Sequence, residues 1–240
     1  MKNKLALVGM AVVACTAAQA DLLINGNLDK TYLQKINDTL FLPKPKNWVN
    51  DGTRANNGAY EDEMSSEPWA GPAPTPVTTD GAAGDDWAAF FKPFSGNATD
   101  GKATGHLYQD VAATAGMRYT LTGWAGGEAN ALMDDAVFAL EFLDSSGAII
   151  DSNVLSLLPT LTVDNGKSFR YKQYSVSASA PNGAVKVRSR VSMIGAMSNP
   201  LGGGQAFVAD DFELTAVPEP STFIALGIGA ALVARKRRAR

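Results

Sequence analysis

The sequence predicts an all-β protein, an antiparallel β-sandwich, and three observations carry that prediction. Apolar residues in the second half recur at every other position: in Ala136-Val-Phe-Ala-Leu-Glu-Phe-Leu143, Phe138, Leu140 and Phe142 fall on one side and Glu141 on the other. Clusters of Gly, Asn, Asp and Pro punctuate these runs at short intervals. No long stretch between residues 21 and 216 keeps helical spacing. Eight or so short strands separated in this way describe two sheets packed face to face.

Taken in order, the chain opens with a positive stretch, Met1-Lys-Asn-Lys4, then an apolar run, Leu5 to Ala14, then Ala18-Gln19-Ala20. This is the plan of a secretory signal peptide over residues 1–20, cut between Ala20 and Asp21. An alternative is a lipoprotein box at Val12-Val-Ala-Cys15, with Cys15 lipidated. Cys15 is the sole cysteine, so cleavage after Ala20 leaves a body without disulfide or thiol chemistry.

Leu22-Leu-Ile-Asn-Gly-Asn-Leu-Asp29 reads as a short strand that breaks at Asn25-Gly26, and Thr31 to Leu42 as a short helix. From about residue 43 to 86 the chain reads as a long irregular loop. It holds Pro43, Pro45, Pro68, Pro72, Pro74 and Pro76, the acidic group Glu61-Asp-Glu63, and Trp48, Trp69 and Trp87 within it or at its edge.

The second half is more regular. Leu107-Tyr-Gln-Asp-Val111 and Met117 to Trp124 read as a hairpin about the turn at Ala115-Gly116. Asp144-Ser-Ser-Gly147 turns the 136–143 strand into Ala148-Ile-Ile150. Strands at Tyr171–Ala178 and Ala184–Met193 flank Pro181-Asn-Gly183. In the latter, Val185, Val187 and Val191 face inward and Lys186, Arg188 and Arg190 outward. Gly202-Gly-Gly204 precedes the last strand, Ala206 to Ala216.

Residues 217–240 form a separate unit. Pro218 and Pro220 fix φ and lack N–H donors, which places both outside the preceding strand and the following helix. Phe223 to Ala234 carries no charge, and Arg235-Lys-Arg-Arg-Ala-Arg240 supplies five cations that would hold the C-terminus in the cytoplasm. Roughly 14 residues from Ser221 span about 21 Å, short of a bilayer core, so the residues beside Pro220 and the snorkelling arginine stems would complete a single C-terminal transmembrane helix. Val217, Pro218, Glu219 and Pro220 at the head of 217–222, the apolar segment and the basic end resemble the PEP-CTERM sorting signal. That resemblance implies export by a Gram-negative bacterium, a transient stay in the inner membrane, and an exosortase as processing partner. The protein would end at the cell surface or in the extracellular matrix.

With both ends set aside, residues 21–216 hold 14 basic against 23 acidic residues, a net charge of about −9. Such a body is a poor partner for nucleic acid or anionic lipid and suits calcium, neutral glycans or plain solubility.

Catalytic candidates are few. The one histidine, His106, has no acidic partner at a telling spacing, and no nucleophile elbow, zinc-helix motif or phosphate loop occurs. The doublets Asp85-Asp86 and Asp134-Asp135 fail as a glycosidase pair, because strand neighbours point to opposite faces; loop solvation or metal binding suits them better. Trp48, Trp69 and Trp87 are the candidate ligand contacts, since sugar rings stack their C–H faces on aromatic planes; packing of the long loop is the competing role.

The opening Leu-Ile-Asn25-Gly-Asn-Leu-Asp29, the central Leu107-Tyr-Gln-Asp-Val111 to Trp124, then Leu140-Glu-Phe-Leu-Asp-Ser-Ser-Gly147 and Phe207-Val-Ala-Asp-Asp-Phe-Glu-Leu214 resemble the galactose-binding-like jelly roll shared by many carbohydrate-binding modules. The resemblance implies a structural calcium near Asp29 and Asp210 or Asp211, where the first strand meets the last. The long loop departs from that family's compact pattern. The function expected is a non-enzymatic surface or matrix protein with extracellular polysaccharide as ligand. The alternatives are a small carbohydrate-active enzyme and a purely structural biofilm component.

Overall fold

Alternation of apolar and polar side chains sets a two-sheet architecture in the computed structural model, which describes residues 20–54, 64–68, 70–71, 86–92, 101–161 and 169–219. Twelve strands follow in chain order: β1 (Thr31–Lys35), β2 (Phe41–Pro45), β3 (Val49–Arg54), β4 (Met64–Glu67), β5 (Ala88–Phe91), β6 (Ala103–Ala112), β7 (Met117–Gly127), β8 (Asp135–Leu143), β9 (Ile149–Ser156), β10 (Lys172–Ser179), β11 (Lys186–Ala196) and β12 (Phe207–Pro218). One five-stranded sheet runs β10-β7-β12-β5-β4, the other β3-β6-β11-β8-β9, and β1 and β2 form a separate ribbon. The ladders are antiparallel, so the fold is the all-β sandwich the alternation predicts.

The core fills the space between the sheets. Phe138, Leu140 and Phe142 of β8 are fully buried, as are Val187 and Val191 of β11 and Phe207 and Leu214 of β12. Aromatic contacts bridge the layers: Tyr119 meets Phe142 at 5.9 Å and Phe138 meets Phe212 at 5.4 Å between ring centroids, both edge to face. Such pairs contribute about 1 kcal/mol each beyond simple burial. Room for them comes from Gly123, where a Cβ would lie 2.6 Å from the Phe212 ring and 3.0 Å from that of Phe138.

Several local expectations change. Leu22–Asp29 is a chain of turns, because Asn25 and Leu28 take left-handed backbone angles, φ 59° and 52°. It is stitched to β12 by Leu22 N–H to Leu214 O and by Phe212 N–H to Gly26 O, at 2.9 and 2.8 Å. Gly26 permits that approach, since a Cβ there would stand 2.1 Å from the Phe212 oxygen. The 31–42 segment forms β1 and the start of β2 instead of a helix; the Asn37 carboxamide oxygen accepts from the Thr39 and Leu40 amides and closes the turn. The stretch read as an irregular loop over 43–86 contains the end of β2 and all of β3 and β4. Pro43 and Pro45 fit there because β2 carries a ladder on one side only.

β6 and β7 are not a hairpin. Their connection passes from one sheet to the other, with Gly116 N–H bonded to Ala180 O and Ala113 N–H to Val185 O. Val185 precedes β11 and is exposed, whereas Val187 and Val191 do face inward. The 136–150 hairpin forms as expected, with a register shift at Phe142/Leu143.

Pro218, expected outside the preceding strand, is instead the last rung of β12, opposite Met117, a terminal position where its missing donor costs nothing. The signal segment up to residue 19, together with Pro220, the apolar helix and the basic tail, lies outside the described residues. Among the described residues no helix is long and apolar enough to cross a membrane.

Candidate cation centre and ligand face

Alternation along β12 turns Phe207 and Ala209 into the core and leaves Val208 and Asp210 on the other side of the strand. A bulge between Asp210 and Glu213 then breaks the ladder with β7, with Asp211 at φ 49°. The extra residue returns Phe212 to the core and sets two carboxylates side by side. The turns after Asn25 deliver Asp29 to this corner, and the residues before β5 deliver Asp86. Asp29 accepts from the Trp87 amide at 3.1 Å, and the Asn27 carboxamide donates to its other oxygen.

The corner is electrostatically unresolved. Asp210 is fully buried, and among the described residues no donor meets either of its oxygens in full hydrogen-bond geometry, the Asp211 backbone N–H being only near; Asp86 Oδ2 likewise has no partner among them. Burial pushes the Asp210 carboxyl well above the usual carboxylate range, and Asp211, Asp86 and Asp29 add to the shift, while the Asp211 backbone N–H partly offsets it. Asp86 is raised to about 6 by burial, then by Asp211 and Asp29. Asp211 moves up for the same reasons, burial first and then Asp29. The Tyr171 phenol, which donates to Ala70 O, is pushed up by burial and by Asp210, Asp86 and Asp211. An apolar cluster of Ala70, Ala88, Phe169 and Val208 packs along this side of the sheet.

Oxygen-only donors are what a hard divalent cation takes. The carboxylates do not form a finished cage, however: among the described residues no group of three or more His, Cys, Asp or Glu is set to hold a metal ion.

A second polar surface lies on the outer face of the other sheet. Directly opposed across β6 and β11, Asp110 and Arg188 form a two-point ion pair, Nε to Oδ1 at 2.6 Å and Nη2 to Oδ2 at 3.1 Å. The guanidinium lies 3.9 Å over the Tyr108 ring. Next along β11, Arg190 reaches Glu141 of β8 at 2.9 and 2.6 Å and Ser192 Oγ at 2.6 Å, and His106 Nδ1 is 2.7 Å from the same hydroxyl. Burial, then Arg190, holds His106 below its ordinary range. Hydrogen bonding to Asp110 raises Arg188.

Of the three candidate tryptophans, the two that are described, Trp48 and Trp87, have different settings. Trp48 is 6% exposed, packs on Phe212 at 5.3 Å and donates its indole N–H to Asn25 O at 2.9 Å; a buried ring offers no face to a ligand. Trp87 is half-buried beside the acidic corner. Trp69 lies outside the described residues. The acidic doublet where β8 begins is divided between separate tasks: Asp134, just before the strand, pairs with Lys102, and Asp135 accepts from Ser156 Oγ and the Ala136 amide.

The sequence marks Asp86 only as half of a doublet suited to loop solvation or metal binding, without joining it to Asp29 and Asp210, and it does not bring Arg188 and Tyr108 together. The outward alternation of Arg188 and Arg190 was visible; the strands that oppose them were not.

Both ends of the body meet on β12. Asp21, the first residue after the predicted signal cut, accepts from the amides of Leu23 and Leu214 at 3.0 and 2.9 Å. Val217 and Pro218 pair with Arg118 and Met117, and Ser179 Oγ donates to Glu219.

Residues 216–238 match the PEP-CTERM protein-sorting motif. No curated protein matches the chain. Among solved structures, the enzymatically active domain of tailspike protein 4 from bacteriophage CBA120 superposes with a TM-score of 0.50 at 12% identity, over 82% of this chain and 21% of that one. This chain thus spans about a fifth of that domain's length, and the likeness is one of fold. TmCBM61 in complex with β-1,4-galactotriose aligns at 17% identity and a TM-score of 0.45 over 82% of this chain and 99% of the module. The arabinose-bound α-L-arabinofuranosidase MgGH51 aligns at 14% identity and a TM-score of 0.48, over 82% and 26% of the two chains.

Proposed function

We propose that this chain, which carries a PEP-CTERM sorting motif, is an exported, non-enzymatic β-sandwich that an exosortase processes and that binds neutral polysaccharide at the cell surface or in the extracellular matrix. The observation that carries the export half is the motif at residues 216–238, joined without a linker to the last strand of the sandwich. In support of the binding half is the outer face of the β3–β9 sheet. There the planar groups of Tyr108, Arg188, Asp110, His106, Arg190 and Glu141 are held in place by two ion pairs, by the stacking of Arg188 on Tyr108 and by the Ser192 hydroxyl between Arg190 and His106, with little left to order when a sugar docks. Trp87 and Trp69 are the secondary aromatic contacts.

Calcium belongs to the same reading. Asp210, Asp86, Asp211 and Asp29 would supply carboxylate oxygens to it. The ion's role is to supply the positive charge that the buried Asp210 carboxylate lacks. By tying Asp29 and Asp86 to β12 it would also fix the segment that bears Trp87.

The test is retention of residues 21–219 on a glycan array and on insoluble polysaccharides, with calcium and with chelator. Retention lost on Tyr108→Ala is the expected result. Silence on every glycan, with calcium still raising the melting temperature, would overturn glycan binding and leave a structural matrix protein.

A further inference from the structure

The sorting motif is not appended to the body after a spacer; it begins inside the fold. The matched segment starts at residue 216, yet β12 runs on to Pro218, with Ala216, Val217 and Pro218 opposite Tyr119, Arg118 and Met117 of β7. One residue further, Glu219 accepts from Ser179 Oγ at the end of β10, the strand on the far side of β7. A single short network therefore spans three neighbouring strands and ends on the motif's own glutamate. Peptide-cleaving enzymes take their substrates as unpaired, extended chain, and a residue still in a ladder is not available in that form.

We infer that the Ser179–Glu219 contact and the last rungs of β12 act as a latch that withholds the sorting motif from its processing enzyme until this corner of the sheet opens. The inference rests on the exosortase reading above and adds to it a control point in the body. The partner that opens the latch recognises extended backbone around Glu219. Processing would then proceed from a locally opened state whose population the Ser179 hydroxyl sets. A body with an unformed sheet would present the motif early, and a folded one would present it slowly.

Two variants alter the latch without touching the motif. Ser179→Ala removes the donor; Ser179→Asp places a like charge against Glu219. Two readouts on the full chain separate the latch from the reading it rests on. In detergent micelles, amide exchange of the 214–219 segment should speed up by about three- to tenfold in Ser179→Ala and further in Ser179→Asp, with exchange of β8 unchanged. In cells carrying the processing enzyme, the half-time from precursor to processed body should shorten in the same order. Unchanged exchange, or faster exchange with an unchanged half-time, would overturn the latch while leaving the sorting reading intact. A wild-type precursor that is never processed would overturn the sorting reading and the latch with it.

Discussion

Trp48 donates its indole N–H to the backbone oxygen of Asn25, 2.9 Å away, and so pins the N-terminal turns against the ring of Phe212. The residue is a strut and not a ligand platform. Trp48→Ala should cost about 3–5 kcal/mol, and Trp48→Phe, which keeps most of the ring, about 1 kcal/mol through the lost hydrogen bond. Denaturant unfolding of both variants checks this, and a near-neutral Trp48→Ala would mean that the turns at 22–29 stand without it.

How far this was legible in the sequence depends on whether the informative contacts are local. The β8–β9 hairpin was readable because Asp144 caps its own turn, its carboxylate accepting from the amides of Ser146 and Ala148. Strand alternation likewise placed Val187 and Arg188 on opposite faces. Trp48 was not readable, because Pro43, Pro45 and the lysines around it erase any period and its partners are Asn25 and Phe212. The β6–β7 pair misled for a related reason. A tight turn with Gly116 looks the same whether it joins neighbours in one sheet or crosses between two. The acidic corner was half legible: Asp29 and the Asp210–Asp211 doublet stood out at the two chain ends, whereas Asp86 joins them only through the pairing of β5 with β12.

The acidic corner sets a pH dependence with a definite sign. Asp86, Asp210 and Asp211 all titrate above their ordinary range in the folded state, Asp86 near 6. Without a cation the folded protein holds protons that the unfolded chain has already released. Stability is therefore fullest below the ordinary carboxylate range and is lost as pH rises through about 6. Melting temperature in chelator should fall between pH about 4 and about 7, the fall should shrink in Asp210→Asn, and saturating calcium should remove it. A flat profile in chelator would show that the corner is neutralised by some other group.

Arg190 and Glu141 form the most buried ion pair of the outer face, their side chains 15% and 8% exposed. Removing one partner strands the other's charge against the sheet, so Arg190→Met should cost about 3 kcal/mol. The double variant Arg190→Met with Glu141→Leu should recover most of that loss, because the pair's desolvation is as large as its attraction. Thermal denaturation of the two single variants and the double decides it; equal losses in the single and double variants would mean that the cost lies in packing.

Asp211 separates the bulge from the ion. Its φ of 49° costs a non-glycine residue about 1 kcal/mol, which Asp211→Gly relieves, and the greater freedom of glycine in the unfolded chain takes back a similar amount. These two effects nearly cancel, leaving the removal of one like charge from beside Asp210. In chelator the variant should therefore melt at or slightly above the wild type. With calcium the order should reverse, since losing one carboxylate ligand weakens affinity by about tenfold and takes about 1.4 kcal/mol from the stabilisation at saturating ion. Differential scanning calorimetry in the two buffers gives both numbers from one protein. A variant that loses stability equally in both would assign Asp211 to the bulge alone, and the cation would then have to be held by Asp29, Asp86 and Asp210.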